Sequence, residues 1–129
     1  MISVTPIERK EDQAQLCALC GVVYLADALA YRATDENGAF AGICQFSMDA
    51  QGGHIFHLAA PDGGFDDALF VMGRAALSFI DLCGVKTADF RGEADDSLLR
   101  RIGFSTNGNG QYTVSLEGFF NHPCSHASH

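Results

Sequence analysis

Apolar residues recur along this chain with two different periods, and the predicted element changes where the period changes. Residues Ile2 to Ile7 alternate weakly between apolar and polar, as a first strand does, and Glu11 to Cys20 reads as a short helix opened by acids that complement its dipole. A second helical stretch is predicted around Val22 to Asp27. Leu29, Tyr31 and Ala33 then alternate with Ala30, Arg32 and Thr34, and Asp35-Glu-Asn-Gly38 supplies a hairpin turn into a strand over Ala39 to Met48. Gln51-Gly-Gly53 makes the next turn. His54 to Ala60 follows as a third, more apolar and therefore central strand.

The longest periodic segment comes next. Phe65, Ala68, Leu69, Met72, Ala76, Phe79, Ile80 and Cys83 follow the i, i+3, i+4, i+7 spacing of an amphipathic helix, and Gly84 ends it. Val85 to Arg91 is short and strand-compatible, so strand, helix and strand predict a right-handed crossover into a parallel neighbour. Asp95 or Asp96 caps a further helix carrying Leu98, Leu99 and Ile102 and stopped by Gly103. Phe104 to Thr106, the Asn107-Gly-Asn-Gly110 turn and Tyr112 to Leu116 read as a closing hairpin with Tyr112, Val114 and Leu116 on one face. The expected order is β-α-(α)-β-β-β-α-β-α-β-β, an α/β (α+β) arrangement with a mixed, mostly antiparallel sheet and helices on both faces.

At 129 residues with 47% hydrophobic positions the chain suits one domain, expected over 1–120, with residues 121–129 as a mobile C-terminal tail. The net charge of -8 disfavours nucleic acid, which needs clustered Lys and Arg, and favours a neutral or cationic partner. No stretch approaches a membrane span, and no signal-like segment opens the chain, so a cytoplasmic protein is expected. The five cysteines form an odd, scattered set that reads as reduced thiols. Cys17-Ala-Leu-Cys20 has the spacing of a redox or metal pair, with helix packing as the simpler reading because no second pair or nearby His completes a site. His122, Cys124, His126 and His129 in the tail lack structural zinc spacing, so no metal is expected.

The unit from Gly53 to Gly84, a strand led by Pro61-Asp-Gly-Gly64 onto a helix start, brings free backbone N–H groups and the positive end of a dipole together. Such a turn suits an anion, yet Asp62, Asp66 and Asp67 place like charge beside it. As acids of a first helical turn they also stabilise the helix without any ligand.

The order of elements, together with Leu98-Leu-Arg-Arg-Ile-Gly-Phe104, the Gly42-containing strand and Pro61 before the long helix, resembles the GNAT (GCN5-related N-acetyltransferase) superfamily over nearly the whole chain. The resemblance implies an N-acyltransferase that moves an acetyl or acyl group from acetyl-CoA (acyl-CoA) to a small amine. It also implies that the strand over 54–60 splays from 85–91 and exposes backbone to the cofactor. By position, Leu58, Ala59 and Ala60 would then face the pantetheine arm, and Gly63, Gly64 and Phe65 would hold the pyrophosphate. The chain departs from the family at Pro61 and Asp66, which replace fixed residues of the pyrophosphate signature. Leu99 stands where many members carry a proton-donating Tyr, and Tyr31 and Tyr112 are the hydroxyls left near the sheet.

An amine must be neutral to attack, and His57 and His54 are the residues best placed as its base, a buried structural role being the alternative for each. Simple strand parity puts the two on opposite faces. The alternative function is a catalytically degenerate domain of the same fold that binds another ligand or a partner chain. Phe119-Phe120 beside an end strand suits either a homodimer contact or cover for the domain's own core.

Overall fold

The computed structural model describes residues 1–61 and 66–120. Its elements run β1 (Ser3–Pro6), α1 (Lys10–Cys20), β2 (Leu29–Thr34), β3 (Phe40–Asp49), β4 (Gly52–Ala59), α2 (Asp66–Leu82), β5 (Thr87–Phe90), α3 (Asp96–Ile102), β6 (Ser105–Thr106) and β7 (Tyr112–Ser115). One seven-stranded sheet has the order β1-β2-β3-β4-β5-β7-β6, with β4 at its centre. Among the described residues only β4 and β5 pair in parallel, joined by the α2 crossover that the sequence predicts.

The turns form for the expected reasons. Asp35 Oδ1 accepts hydrogen bonds from the N–H groups of Asn37 and Ala39, and Asn107 Oδ1 accepts from those of Asn109 and Gln111, closing the two polar hairpin turns. Gly21 and Gly84 adopt left-handed backbone (φ +70° and +86°) and end α1 and α2.

The sheet carries helices on both faces. Cys44, Phe46, Ile55 and Leu58 point to the side covered by α2 and α3, where they pack with Met72, Ala76, Leu77, Ile80, Leu98, Leu99 and Ile102. Ile43 and Ala59 point to the other side and meet Cys17 and Cys20 of α1. Phe119 and Phe120 pack on the larger core, and the guanidinium of Arg74 lies 4.9 and 5.3 Å from their ring centroids.

Two expectations need correction. Residues 22–27 are not helical. Gly21 turns the chain sharply out of α1, and the segment that follows is held as an irregular strap by side chains from α1 and β3, described below. Cys83 is exposed, not part of the buried stripe, because α2 ends at Leu82. The expectations for Gly63, Gly64 and Phe65, and for the tail over 121–129, fall outside the described residues.

Candidate active site

The site begins with an irregularity in the central strand. β4 pairs β3 with Gln45 opposite His57 but Phe46 opposite Ile55, so Phe56 is an extra residue, a β-bulge. Pairing with β5 runs only through Gly53–Ala88, His54–Asp89 and Ile55–Phe90, and is followed by a hydrogen bond from Arg91 N–H to Ile55 O (2.8 Å). From His57 to Ala59, β4 is paired as a ladder with β3 alone. The two central strands therefore part, and a cleft of about 310 Å³ opens between residues 21–23, His57 to Ala59, and Gly92 with Glu93.

The bulge also corrects the parity expectation for the two histidines. Gln45 and Ser47 lie two apart on β3 and share a face; their partners His57 and His54 must share it too. Both sit on the α1 side, together with Phe56, whose ring centroid lies 6.3 Å from that of His54.

The half-buried His57 ends a chain of polar groups that runs from exposed Lys10 through buried Gln13 and Gln45. Lys10 Nζ donates to Gln13 Oε1 (3.1 Å) and to Ala28 O (2.7 Å). Gln13 Nε2 donates to Gln45 Oε1 (2.8 Å) and Leu25 O (3.2 Å). Gln45 Oε1 also accepts from Leu25 N–H (3.0 Å), while Gln45 Nε2 donates to Val23 O (2.8 Å) and to His57 Nδ1 (2.8 Å). Burial without a counter-charge lowers the pKa of His57, which favours the neutral ring.

His54 is built differently. It is 2% exposed, its Nδ1 lies 2.8 Å from Asp89 Oδ1, and its Nε2 lies 3.0 Å from Asp49 Oδ1, close enough for an ion pair though poorly aligned for a hydrogen bond. Burial disfavours its charge, but the contacts with Asp89 and Asp49 outweigh burial and raise its pKa. Asp49 in turn is lowered, chiefly by its contact with His54. Both ring nitrogens are occupied by carboxylates, and His54 does not line the cleft.

The two rings should therefore act on stability in opposite senses. The raised pKa of His54 gives a contribution that is complete below the unfolded value of 6.5 and is lost as pH rises through its folded value. The lowered pKa of His57 gives a contribution present above 6.5 and lost as pH falls through its folded value. In urea unfolding followed from pH 5 to 8, His54→Gln should flatten the fall above pH 6.5, and His57→Gln the fall below it. A His54→Gln variant that keeps the wild-type decline above pH 6.5 would exclude the paired-carboxylate account.

Of the other residues singled out in the sequence, Leu58 buries its side chain in the α2 core, Ala59 packs towards α1, and both line the cleft. Ala60 follows directly on β4 and is half-buried. Tyr112 donates to Asp96 Oδ1 on α3 (2.6 Å), and Tyr31 stacks on Phe46 (5.3 Å) under α2; neither lines the cleft. Leu99 is 1% exposed, a core residue. Cys17 and Cys20 are free thiols, and burial raises both, Cys20 to about 11, so neither has thiolate character at neutral pH. Among the described residues no group of three or more potential metal ligands occurs, and no helix is long and apolar enough to cross a membrane.

The residues that sequence reading missed are Gln13, Gln45, Phe56, Gly92 and Glu93. A signal existed for Gln45, a long polar side chain inside the apolar run Ile43-Cys-Gln-Phe46. None marked the bulge.

No protein-family model matches the chain, and no curated protein matches it. Solved structures do. A Bacillus subtilis acetyltransferase in complex with CoA superposes with a TM-score of 0.69 at 15% identity, covering 90% of this chain and 99% of that one. A GNAT family acetyltransferase from Brucella melitensis in complex with acetyl-CoA gives 0.65 at 17%, covering 89% and 88%. N-acetylglutamate synthase from Neisseria gonorrhoeae, complexed with coenzyme A and N-acetyl-glutamate, gives 0.70 at 13%, covering 91% of this chain and 35% of that one. The chain has the fold of the GNAT acetyltransferases.

Proposed function

We propose that the protein is an acyl-CoA-dependent N-acyltransferase acting on a small amine. The observation that carries this reading is the parting of β4 from β5 at the Phe56 bulge, which leaves one edge of Phe56 to Ala59 without a neighbouring strand beside an open cleft. An extended amide-containing arm such as pantetheine can pair with such an edge as a further strand does. In this reading the backbone of Leu58, Ala59 and Ala60 holds that arm, and Gly63, Gly64 and Phe65 approach the pyrophosphate at the start of α2. The cofactor supplies the acyl group as a reactive thioester.

The amine belongs on the same sheet face, in a neighbouring cleft of about 390 Å³ where Tyr24, Phe56 and Asp27 offer aromatic rings and a carboxylate. That combination suits a cationic amine, as does the net charge of -8. Holding the two reactants on either side of the Phe56–His57 step makes their reaction effectively intramolecular.

A second reading, a binding domain that has lost CoA chemistry, is favoured by one observation. Asp66 and Asp67 occupy the exposed first turn of α2, and Asp67 lines a cleft with Asp35 and Glu36. Four carboxylates near that helix start oppose a diphosphate.

Thermal unfolding with CoA and acetyl-CoA separates the two. A Kd of about 10 μM would add about 2.7 kcal/mol of stability at a hundredfold excess over Kd, a readily seen rise in Tm. An unchanged Tm at millimolar CoA would leave the second reading standing. Where binding occurs, Gly64→Glu should abolish it, and retained binding would refute the placement of the pyrophosphate.

A further inference from the structure

The orientation of the Gln45 amide is fixed by backbone groups, not by the histidine. Its oxygen must face the donating N–H of Leu25 and its nitrogen the accepting carbonyl of Val23. A flipped amide would set donor against donor and acceptor against acceptor in a site that is 0% exposed. The nitrogen's second proton then points at His57 Nδ1, which must accept it. The neutral ring therefore carries its proton on Nε2. That nitrogen has no hydrogen-bond partner among the described residues and, unlike His54 Nε2, which lies buried against Asp49, it belongs to a ring that lines the cleft beside Leu58 and Ala59.

A base must offer a lone pair to the proton it takes. In His57 the only lone pair is on Nδ1, already covered by Gln45, and a proton added there would confront the amide N–H. The base role expected of His57 from sequence does not fit this geometry. A donor role does. Lys10, Gln13, Gln45 and His57 form a relay in which each group donates to the next, starting from an ammonium, so every link polarises the Nε2–H at the far end.

We infer that His57 is a neutral hydrogen-bond donor to the oxygen of the acyl group being transferred, and that Gln45 is the positioning residue that sets its tautomer. The inference rests on the acyltransferase reading. The cationic amine first gives one proton to solvent; a C–N bond then forms and the C–S bond breaks, the nitrogen losing its second proton to solvent and the departing sulfur gaining one from solvent. His57 keeps its proton throughout and shares it with the acyl oxygen as negative charge develops there. The other ionisable groups around the ring are Glu93 across the cleft, Cys20 on α1 and, through the relay, Lys10.

The tautomer is readable without any ligand. Ring 15N–1H correlation spectra of the 15N-histidine-labelled full chain at pH 7, assigned with His57→Gln, should show His57 protonated on Nε2 and unprotonated on Nδ1. An Nδ1–H ring or an imidazolium would overturn the inference whatever the enzyme does. Acetyl-CoA should shift the Nε2–H resonance where CoA, lacking the acyl oxygen, does not; equal shifts would also overturn it. Binding of neither ligand would instead defeat the acyltransferase reading, with the tautomer result still standing.

Among variants, His57→Phe should lower kcat about 10²- to 10³-fold with little change in KM for acetyl-CoA. His57→Gln, whose amide can donate but cannot act as a base, should retain most of the activity. A glutamine variant as slow as the phenylalanine one would overturn the donor role.

Discussion

Gln45→Leu should destabilise the protein by about 3 to 5 kcal/mol, measured as a lowered urea midpoint, although leucine is apolar and comparable in bulk. Gln45 is wholly buried and makes four hydrogen bonds, two to the strap at Val23 and Leu25, one from Gln13 and one to His57. Leucine fills the space and satisfies none of them. Leu25 N–H, Val23 O and His57 Nδ1 lose a partner, and Gln13 Nε2 keeps only its longer bond to Leu25 O. Orphaned buried groups cost about 1 to 3 kcal/mol each, so two that stay dry reach the predicted range. Gln13→Leu should cost less, and the double variant less than the sum, because the two residues share one network. A loss below about 1 kcal/mol would mean that water enters the network and that the strap, not the side chain, holds the site together.

That network also explains where sequence reading stopped. The strand–helix periods, the Asp35–Gly38 and Asn107–Gly110 turns and the stop at Gly84 are local, written within a few residues, and all are found where the pattern puts them. Val22 to Asp27 is not local in this sense. Its apolar positions fit a helix, but its backbone groups are taken up by Gln13 and Gln45, which lie outside the segment, and Gly21 turns the chain away from α1. The histidine faces failed for a related reason. Counting residues from His54 to His57 assumes a regular strand, and one inserted residue reverses the answer. The signal that went unread is a polar residue in each of two short apolar stretches, Gln45 within Ile43 to Phe46 and Asp89 between Ala88 and Phe90. Each proves to be the partner of a histidine.

Asp89 and Gln45 thus give two histidines of one strand opposite surroundings. Burial opposes charge on both rings; at His54 the contacts with Asp89 and Asp49 outweigh it and raise the pKa, whereas at His57, whose Nδ1 meets an N–H of Gln45, burial lowers it. The fold tunes the two rings through their neighbours on β5 and β3, and only the second of them opens on the parted strands.

Gly92→Ala should disrupt that parting through a single methyl group. The backbone of Gly92 lies against the carbonyl of Phe56, the bulge residue, and a Cβ there would overlap its oxygen. The φ of Gly92 is not in the left-handed region, so alanine suits the backbone and the penalty is steric alone. A carbonyl in a β-strand cannot rotate aside as a side-chain end does. Either the loop after β5 or the bulge must therefore move, at about 1 to 3 kcal/mol. Movement of the loop would widen the cleft beside Glu93, and movement of the bulge would carry His57 with it. Both outcomes should weaken acyl-CoA binding at least tenfold in calorimetry if the cleft is the cofactor site, since about 1.4 kcal/mol of lost contact suffices. Gly108→Ala is the control, because that glycine meets nothing within 4 Å and should change stability by less than about 0.5 kcal/mol. Equal stability of the two alanine variants would show that the Gly92 loop yields freely, and the close approach would then have no part in shaping the fork.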